Sequence, residues 1–318
     1  MITKKILIFG ASGQAGRYCI RRFIKKNYKV TVVTRSFHKK GYILKTQAPP
    51  GYLDIEEVNI FDIKKIEQLI SNTDICLNLI GILFEKGKLN TFENIHTKFP
   101  SMLARICKNK NVKFIHLSAL GLKNAKDSKY AISKINGENK IRDILSDATI
   151  IKPSLVYSVD DSFTTKFLSI LSIMPIFPIY YNGKTKFTPI HASELAEIIF
   201  QVISKEIYSK DIEAIGPEIL TFKQIISNLS ECIGKKRVLI PMPIFFAKLS
   251  TFFLQNFPNP LITLDQLNLL KYDNIKSENA ITNFDIGVPS KLYFKDTVMT
   301  YAYNWREGGQ FSDLNNNR

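Results

Sequence analysis

A short apolar strand that runs directly into three glycines constrains the fold of this chain more than any other feature. Lys5–Phe9 reads Lys-Ile-Leu-Ile-Phe, and Gly10, Gly13 and Gly16 follow before a helical pattern begins. Gly10 permits a sharp turn, Gly13 lets the backbone approach a ligand because it lacks a Cβ, and Gly16 lets the helix pack closely on the sheet. This strand, turn and helix predict a dinucleotide pyrophosphate at the helix N-terminus. The alternative is a tight turn without a ligand.

Strand and helix patterns alternate through the first half of the chain. The predicted strands are Lys5–Phe9, Lys29–Thr34, Glu57–Ile60, Asp74–Leu79, Lys113–Leu117 and Thr149–Lys152. The predicted helices are Gln14–Lys26, Ile63–Ser71, Thr91–Asn109 and Ser128–Leu145. Short apolar strands with intervening helices are typical of a parallel sheet covered on both faces. We therefore expect an α/β fold of the Rossmann type, with a doubly wound parallel sheet.

The pattern changes after Pro153, where prolines separate short helical segments. The predicted helices of this part are Ser162–Ile173, Ala192–Ser204, Thr221–Ile233, Ile244–Phe252 and Thr263–Tyr272. We expect a nucleotide-binding domain over residues 1–155 and a smaller, mostly helical lobe over residues 156–307. The polar residues 308–318 are predicted to form a flexible tail.

The chain is basic, with 44 Lys and Arg against 28 Asp and Glu, a net charge of +16. The lysines are scattered, and no arginine-rich or aromatic-interleaved motif accompanies them. A solvated basic surface is therefore favoured over a nucleic-acid face. The cysteines and histidines stand singly in the sequence, so we expect no metal site and a reducing compartment. The four cysteines are Cys19, Cys76, Cys107 and Cys232.

No run of about 20 apolar residues is present, which a membrane-spanning helix would need. The first strand begins close to Met1, so we expect no cleavable leader and a cytoplasmic protein of bacterial type. Two segments, Pro241–Leu254 and Phe167–Tyr181, are nevertheless very apolar. They are either buried core or a peripheral contact with an anionic membrane.

Ligands of such sheets bind beyond the carboxyl ends of the strands. The second strand is followed by Arg35 and not by an acidic residue, which favours NADP(H), although NAD(H) stays possible and Arg35 could be a plain surface cation. Asp62 either contacts the adenine amino group or only caps the next helix. Ile80 and Gly81 follow the fourth strand, where a small residue leaves room for the adenosine ribose and the phosphates.

Three residues after the fifth strand suggest redox chemistry. Ser118 lies at the end of that strand, and Tyr130 and Lys134 occupy positions i and i+4 of the following helix. A lysine beside a phenol would favour the phenolate, so Tyr130 could exchange a proton with a carbinol or carbonyl group. Lys134 could also hold the nicotinamide ribose, and Ser118 the substrate oxygen. The alternative for Tyr130 is packing against the sheet.

These residues resemble the motifs of the short-chain dehydrogenase/reductase superfamily in its extended, epimerase/dehydratase-like branch. The segment 152–157, with Pro153 and Ser154, resembles the part of that branch that runs under the nicotinamide. The resemblance implies cofactor contacts by Gly10, Ser12, Gly13, Gln14, Ala15, Gly16, Arg35, Asp62, Ile80, Gly81, Lys134, Pro153 and Ser154. It also implies catalytic roles for Ser118, Tyr130 and Lys134.

Further segments are similar to the dehydrogenase-like accessory subunits of respiratory complex I. They include Asn78–Gly81, Phe92–His96, Lys113–Ser118, Ile240–Pro243 and Trp305. This resemblance implies a tightly held NADPH of structural or redox-sensing role, with respiratory-chain or quinone-synthesis proteins as partners. The alternative is an active NADPH-dependent oxidoreductase or epimerase, with Tyr130 as acid/base. Its substrate would be a carbonyl, sugar-like or quinone-precursor compound, as in ubiquinone biosynthesis.

Overall fold

A computed structural model of the chain describes residues 4–255, 260 and 262–311. The strands of this part are β1 Lys5–Phe9, β2 Lys29–Thr34, β3 Leu53–Glu57, β4 Ile75–Asn78, β5 Lys113–Leu117, β6 Thr149–Pro153, β7 Val156–Tyr157, β8 Ile176–Ile179, β9 Lys186–Phe187, β10 Ile190–His191, β11 Asp211–Ala214, β12 Leu220–Thr221 and β13 Val238–Pro241.

The α-helices are α1 Gln14–Ile24, α2 Phe37–Lys45, α3 Ile63–Ser71, α4 Phe99–Lys110, α5 Lys129–Ile144, α6 Thr164–Ile173, α7 Ala192–Ser204, α8 Phe222–Cys232, α9 Ile244–Leu254, α10 Leu264–Leu269 and α11 Phe294–Met299. A π-helix covers Glu93–Lys98, and 3₁₀ helices cover Tyr180–Gly183, Ala302–Trp305 and Gly309–Phe311.

The centre of the molecule is a seven-stranded sheet in the order β11-β6-β5-β4-β1-β2-β3, with every pair parallel. Alternate residues of each strand point to opposite faces, so Ile6 and Ile8 join one hydrophobic core while Leu7 and Phe9 join the other. Helices α1 and α7 cover the first face, and α3, α4 and α5 cover the second. The predicted α/β fold of the Rossmann type is confirmed.

The sheet does not end at the predicted boundary after residue 155. Its edge strand β11 comes from the second half of the chain and pairs with β6, with Ala214 beside Pro153. Helix α7, also from the second half, packs on α1, where Phe200 lies against Phe23. The nucleotide-type domain therefore uses residues from both sides of that boundary, which itself stays a prediction.

Three predicted elements need correction. The third strand is Leu53–Glu57 and not Glu57–Ile60, because this half-buried edge strand carries acidic residues that hide its apolar alternation. Helix α2 was not expected, since its buried face is small. The helix expected over Thr91–Asn109 is divided into the π-helix and α4.

The remaining residues form a smaller lobe around a separate core that includes Tyr157, Phe222 and Phe294. Three short two-stranded sheets, β10-β7, β12-β9 and β13-β8, accompany its helices, and the lobe is mostly helical, as predicted. All four cysteines are buried and unpaired. Among the described residues no helix is both long and apolar enough to cross a membrane. Of the predicted flexible tail, residues 308–311 include a 3₁₀ helix, and 312–318 lie outside the described residues.

Candidate functional site

The glycine turn between β1 and α1 is close-packed in a way that only glycine permits at two positions. Gly10 has a φ of +83°, and a Cβ there would lie 2.9 Å from the backbone nitrogen of Ile80. A Cβ on Gly16 would lie 2.5 Å from the Cα of Ala11. Gly13 differs, because its φ of −74° suits any residue and a Cβ would meet only the Gly10 oxygen at 3.2 Å. A Cβ at position 13 would therefore require the Gly10 carbonyl to move by only a few tenths of an ångström, which is less than the shift needed at positions 10 and 16.

The N-terminus of α1 is suited to an anion. Gly13 is its N-cap and supplies no side-chain hydrogen bond, and the first turn contains no acidic residue. The exposed Gly13 and the half-exposed Ser12, Gln14 and Ala15 line this end. The Gln14 amide donates to the Ser158 hydroxyl at 3.0 Å, which ties the turn to the second lobe. Free backbone N–H groups and the helix dipole at such an end attract phosphate.

The end of β2 carries a charge arrangement that the sequence only partly indicated. The Arg35 guanidinium is exposed and donates to the Asn90 side chain at 2.6 Å. Glu57, at the end of neighbouring β3, accepts a hydrogen bond from the backbone nitrogen of Phe37 at 3.2 Å. An acidic side chain therefore lies beside the end of β2, although none follows β2 in sequence.

Asp62 caps α3. Its carboxylate accepts a hydrogen bond from the backbone nitrogen of Lys65 at 3.1 Å, and the residue is exposed. Of the two interpretations of Asp62, the structure therefore contains the helix cap, and the adenine contact stays a prediction.

Lys134 is buried between α5 and the strand ends. It is 3% exposed, its ammonium group donates to the Leu117 carbonyl at 3.1 Å, and a Cβ on Gly81 would lie 3.5 Å from its Nζ. Burial lowers the pKa of Lys134 to about 8, although the Glu138 carboxylate acts in the opposite direction. The structure thus brings Lys134 and Gly81 together beyond the carboxyl ends of β4 and β5. Half-buried Ile80, whose N–H donates to Asn78 at 3.1 Å, lies next to Gly81.

Tyr130 does not have the expected character of a phenolate. Burial raises the pKa of Tyr130 to about 12, and the carboxylates of Asp265 and Glu138 add to the shift. Its ring lies edge-on to the rings of His96, 5.2 Å away, and Phe92, 5.9 Å away. Apolar surroundings and carboxylates thus oppose the phenolate in this conformation, and the acid–base role expected of Tyr130 stays a prediction.

The Ser118 hydroxyl lies at one end of a network of ion pairs. Its hydroxyl donates to one carboxylate oxygen of Glu138, and the other oxygen lies 2.8 Å from the Lys152 Nζ. Lys152 also lies 2.8 Å from Asp211, which pairs with Arg142. Burial alone would lower the pKa of Lys152, but the carboxylates of Glu138 and Asp211 raise it. The Ser118 hydroxyl is thus engaged by Glu138 in this conformation.

Two buried histidines lie under the Lys134 region. The His96 Nε2 accepts from the Ile82 N–H at 3.1 Å, so its Nδ1 carries the proton and donates to the Ser133 hydroxyl at 2.9 Å. The side-chain amide of Asn78 donates to the His116 Nδ1 at 3.1 Å, which assigns the proton of His116 to Nε2. Burial, then the Lys134 cation, lowers the pKa of His96 to about 2 and that of His116 well below its ordinary value. Both rings are neutral.

The segment after β6 is held by the second lobe. The Pro153 carbonyl accepts from the Leu120 N–H at 2.9 Å, and both Pro153 and Ser154 are buried. The Ser154 hydroxyl donates to Asn274, whose backbone and side-chain oxygens lie 2.9 and 2.6 Å away. The Asn274 amide in turn donates to the Leu120 carbonyl at 2.5 Å. These contacts fix the segments that follow β5 and β6.

Sequence reasoning missed several polar residues of this region: Glu57, His96, His116, Glu138 and Asn274. One of them had a readable signal, because Glu138 follows Lys134 by four residues and so shares its helix face. His96 and His116 had no such sequence signal, because they are 20 positions apart and reach the Lys134 region only through the fold. Among the described residues, no cluster of three or more His, Cys, Asp or Glu could hold a metal.

Comparison with known proteins gives a family match over two thirds of the chain. The family described as the NAD dependent epimerase/dehydratase family matches residues 6–216. This range includes the glycine turn, the Lys134 region and all seven strands of the central sheet, with β1 included from its second residue onward.

Two curated relatives and one solved structure are similar over nearly the whole chain. The mitochondrial NADH dehydrogenase [ubiquinone] 1 alpha subcomplex subunit 9 of Dictyostelium discoideum is 26% identical, covering 97% of this chain and 87% of that protein. The subunit of the same name from Arabidopsis thaliana is 26% identical, covering 95% and 78%. The structure of Pal from Bacillus thuringiensis has a TM-score of 0.69 and 17% identity, covering 95% and 98%. The last comparison supports the fold alone.

Proposed function

Because this chain belongs to the NAD-dependent epimerase/dehydratase family, we propose that it binds a nicotinamide dinucleotide in the crevice above β1. We propose NADP(H) as the preferred form. The N-terminus of α1 behind the Gly10–Gly16 turn carries this proposal, because it has no side-chain cap and no acidic residue in its own first turn, and the nearby Asp160 carboxylate is paired with Arg17 at 2.7 Å. Backbone N–H groups at such an end bind a pyrophosphate without any side chain.

The remaining contacts follow from the geometry of the crevice. Lys134 has its Nζ near Gly81, within reach of a ribose that lies across the ends of β4 and β5. Arg35 at the end of β2 would pair with a 2′-phosphate, provided that it exchanges its hydrogen bond to Asn90. Glu57 beside it would repel a phosphate but accept a ribose hydroxyl. The preference for NADP(H) thus rests on the balance between Arg35 and Glu57.

We propose that the nucleotide is held for a structural or redox-sensing purpose and is not rapidly turned over. The Tyr130 phenol, with its pKa near 12, is a weak proton donor at neutral pH. The Ser118 hydroxyl is bound to Glu138 instead of pointing free into the crevice. Both features suit retention of a nucleotide better than acid–base catalysis.

The relatives suggest a partner. The two named above are described as subunits of an NADH dehydrogenase [ubiquinone], and they align with 97% and 95% of this chain. We propose that the chain associates with proteins of the respiratory chain. Quinone-synthesis proteins are the second class of partner that the family resemblance implies.

The second candidate function is an NADP(H)-dependent oxidoreductase or epimerase acting on a carbonyl, sugar-like or quinone-precursor substrate. It is favoured by the placement of Tyr130 and Lys134 on one face of α5, with Lys134 at the crevice. Nucleotide or substrate would have to reorganise the Tyr130 surroundings before this residue could exchange a proton.

Nucleotide binding is tested by fluorescence titration of the purified chain with NADPH and with NADH. We expect tighter binding of NADPH, a selective loss of NADPH affinity in Arg35→Ala, and improved NADPH affinity in Glu57→Gln. Replacement of the exposed Lys64 on α3 by Ala is the matched control, and it should change neither the NADPH affinity nor the NADH affinity. An equal loss of both nucleotides in Arg35→Ala would refute the selectivity.

Turnover is tested separately by mixing the NADPH-bound protein with quinones, aldehydes and ketones and following nucleotide absorbance. Slow release without oxidation supports a retained nucleotide. Steady oxidation that is lost in Tyr130→Phe would support the enzyme instead. A pull-down of the tagged chain from native membranes then distinguishes respiratory subunits from quinone-synthesis enzymes as partners.

A further inference from the structure

The apolar and polar faces of helix α9 are arranged in the opposite way to those of an ordinary surface helix, with the large apolar side chains facing outward. It contacts α10 and the Tyr180–Gly183 turn, and Ala247 and Thr251, both 0% exposed, are the buried side chains among those the structure describes in this helix. These residues are separated by four positions and therefore share one face. The Thr251 hydroxyl is satisfied by the Ala247 carbonyl at 2.6 Å. The helix thus presents small and polar residues to the protein.

The opposite face of α9 is apolar and exposed. At 100° per residue, five side chains lie on the side away from Ala247 and Thr251, and they are 47% to 69% exposed. They are Phe245, Phe246, Leu249, Phe252 and Phe253. A helix that faces water normally places polar residues there. Four phenylalanines on one outward face instead indicate a surface that is covered in the working protein.

The apolar surface continues into the segments joined to α9. Strand β13 leads into α9 through Met242 and Pro243, and it pairs in parallel with β8, where Val238 lies beside Ile176. Both of these residues are exposed, as is Ile240 two positions further along β13. Ile173, at the end of α6, is 81% exposed. We name α9 together with these residues of β8, β13 and α6 the apolar patch.

The charged residues of the same segments are all basic. Residues 162–193 and 232–264, which contain the whole apolar patch, include no Asp or Glu. They carry the cations Lys166, Lys184, Lys186, Lys235, Lys236, Arg237 and Lys248. Lys236 precedes β13 and Lys248 lies on the flank of α9, and both are exposed. Aromatic residues on one face with lysines at its border are typical of helices that lie in a membrane interface.

From these observations we infer that the apolar patch docks on the surface of an anionic lipid bilayer, with α9 lying in the plane of the membrane and its phenylalanines among the acyl chains. Eleven residues of helix extend only about 16 Å, so α9 cannot span a bilayer and would bind from one side. The charge complementarity favours an anionic bilayer over a second copy of this chain, whose own patch would be equally cationic. This inference does not depend on nucleotide binding.

The test is flotation of the full chain with vesicles of phosphatidylcholine containing about one third phosphatidylglycerol, against vesicles of phosphatidylcholine alone. We expect flotation with the anionic vesicles at low salt and less at high salt. The triple variant Phe245→Gln, Leu249→Gln, Phe253→Gln should bind more than about tenfold less, because it removes apolar area while keeping helix-forming residues. The pair Lys236→Glu, Lys248→Glu should lose anionic binding selectively.

Two controls keep the outcome interpretable. Lys64→Glu on α3 and Tyr42→Gln on α2, both exposed and far along the chain from the apolar patch, should float as the wild type does. The thermal midpoint and the far-ultraviolet circular dichroism spectrum of each variant show that it remains folded. Absence of wild-type flotation, or equal flotation of the triple variant, would overturn the inference. A dimer that the triple variant converts to a monomer, without flotation, would assign the patch to a second copy instead.

Discussion

The Ser118 hydroxyl donates a hydrogen bond to Glu138, whose second carboxylate oxygen lies 2.8 Å from Lys152. This contact links the end of β5 to the edge of the sheet, because Lys152 on β6 also reaches Asp211 on β11. We expected Ser118 to bind a substrate oxygen. In this conformation its hydroxyl instead belongs to a network that connects the end of β5 to α5, β6 and β11.

Replacing Glu138 by Gln should destabilise the protein by about 2 kcal/mol at pH 7, because the Lys152 side chain is only 14% exposed and would lose a buried partner. The comparison is Asp211→Asn, whose carboxylate is 46% exposed and should matter less. Urea unfolding of both variants measures the difference. An equal or larger effect of Asp211→Asn would contradict this reading of the network.

The buried Lys134 should make stability depend on alkaline pH. Its folded-state pKa of about 8 lies below the ordinary 10.5, so between these values the unfolded chain binds more protons than the folded one. Stability contributed by this group therefore rises with pH across that window, by up to about 3 kcal/mol. Urea unfolding at several pH values should show this rise in the wild type and lose it in Lys134→Met. Parallel profiles for the two proteins would refute the shift.

The neutral His96 should make the fold sensitive to acid. Its folded-state pKa of about 2 lies below the ordinary 6.5, so the unfolded chain binds the extra proton as pH falls below 6.5. Stability present above that pH is lost on acidification, by about 2 kcal/mol at pH 5. His96→Gln should lose less between pH 7.5 and pH 5 than the wild type, whereas the exposed His38→Gln should follow the wild type. Identical losses in all three would contradict the prediction.

Gly16 should contribute to the free energy of unfolding even in the ligand-free protein. A Cβ at this position meets backbone atoms of Ala11 and Gly10 at 2.5 to 2.6 Å, and backbone cannot move aside cheaply. Gly16→Ala should therefore cost about 3 kcal/mol or more, with a clear fall in thermal midpoint. A variant as stable as the wild type would show that α1 does not pack on the turn as described.

The sequence predicted those parts of the fold that have a local cause. The strand at Lys5–Phe9 and the sharp turn at Gly10 follow from an apolar run and from a positive φ that glycine tolerates, and the structure contains both. The helix that carries Tyr130 and Lys134 begins at its Ser128 cap, where the Ser128 hydroxyl accepts from the Ala131 N–H.

What the sequence could not indicate depends on contacts between distant segments. β11 joins the sheet from 56 residues beyond the predicted boundary, guided by its pairing with β6. The pKa of Tyr130 is raised first by burial and then by Asp265, which is 135 residues away, and the Glu57 carboxylate reaches the end of β2 through strand pairing. The exposure of α9 could not be read either, because an apolar run looks alike in a core and on an open surface.

We propose that the turn behind β1 binds the diphosphate of a nicotinamide nucleotide, and a substitution within this turn distinguishes binding from packing. Gly13 has an ordinary φ, and a Cβ there meets only the Gly10 carbonyl oxygen at 3.2 Å, so Gly13→Ala should lower the thermal midpoint of the ligand-free protein much less than Gly16→Ala does. Calorimetric titration with NADPH should nevertheless show a loss of affinity of about a hundredfold, because the new methyl group occupies the space of the phosphates. Unchanged NADPH affinity in a folded Gly13→Ala protein would contradict the account.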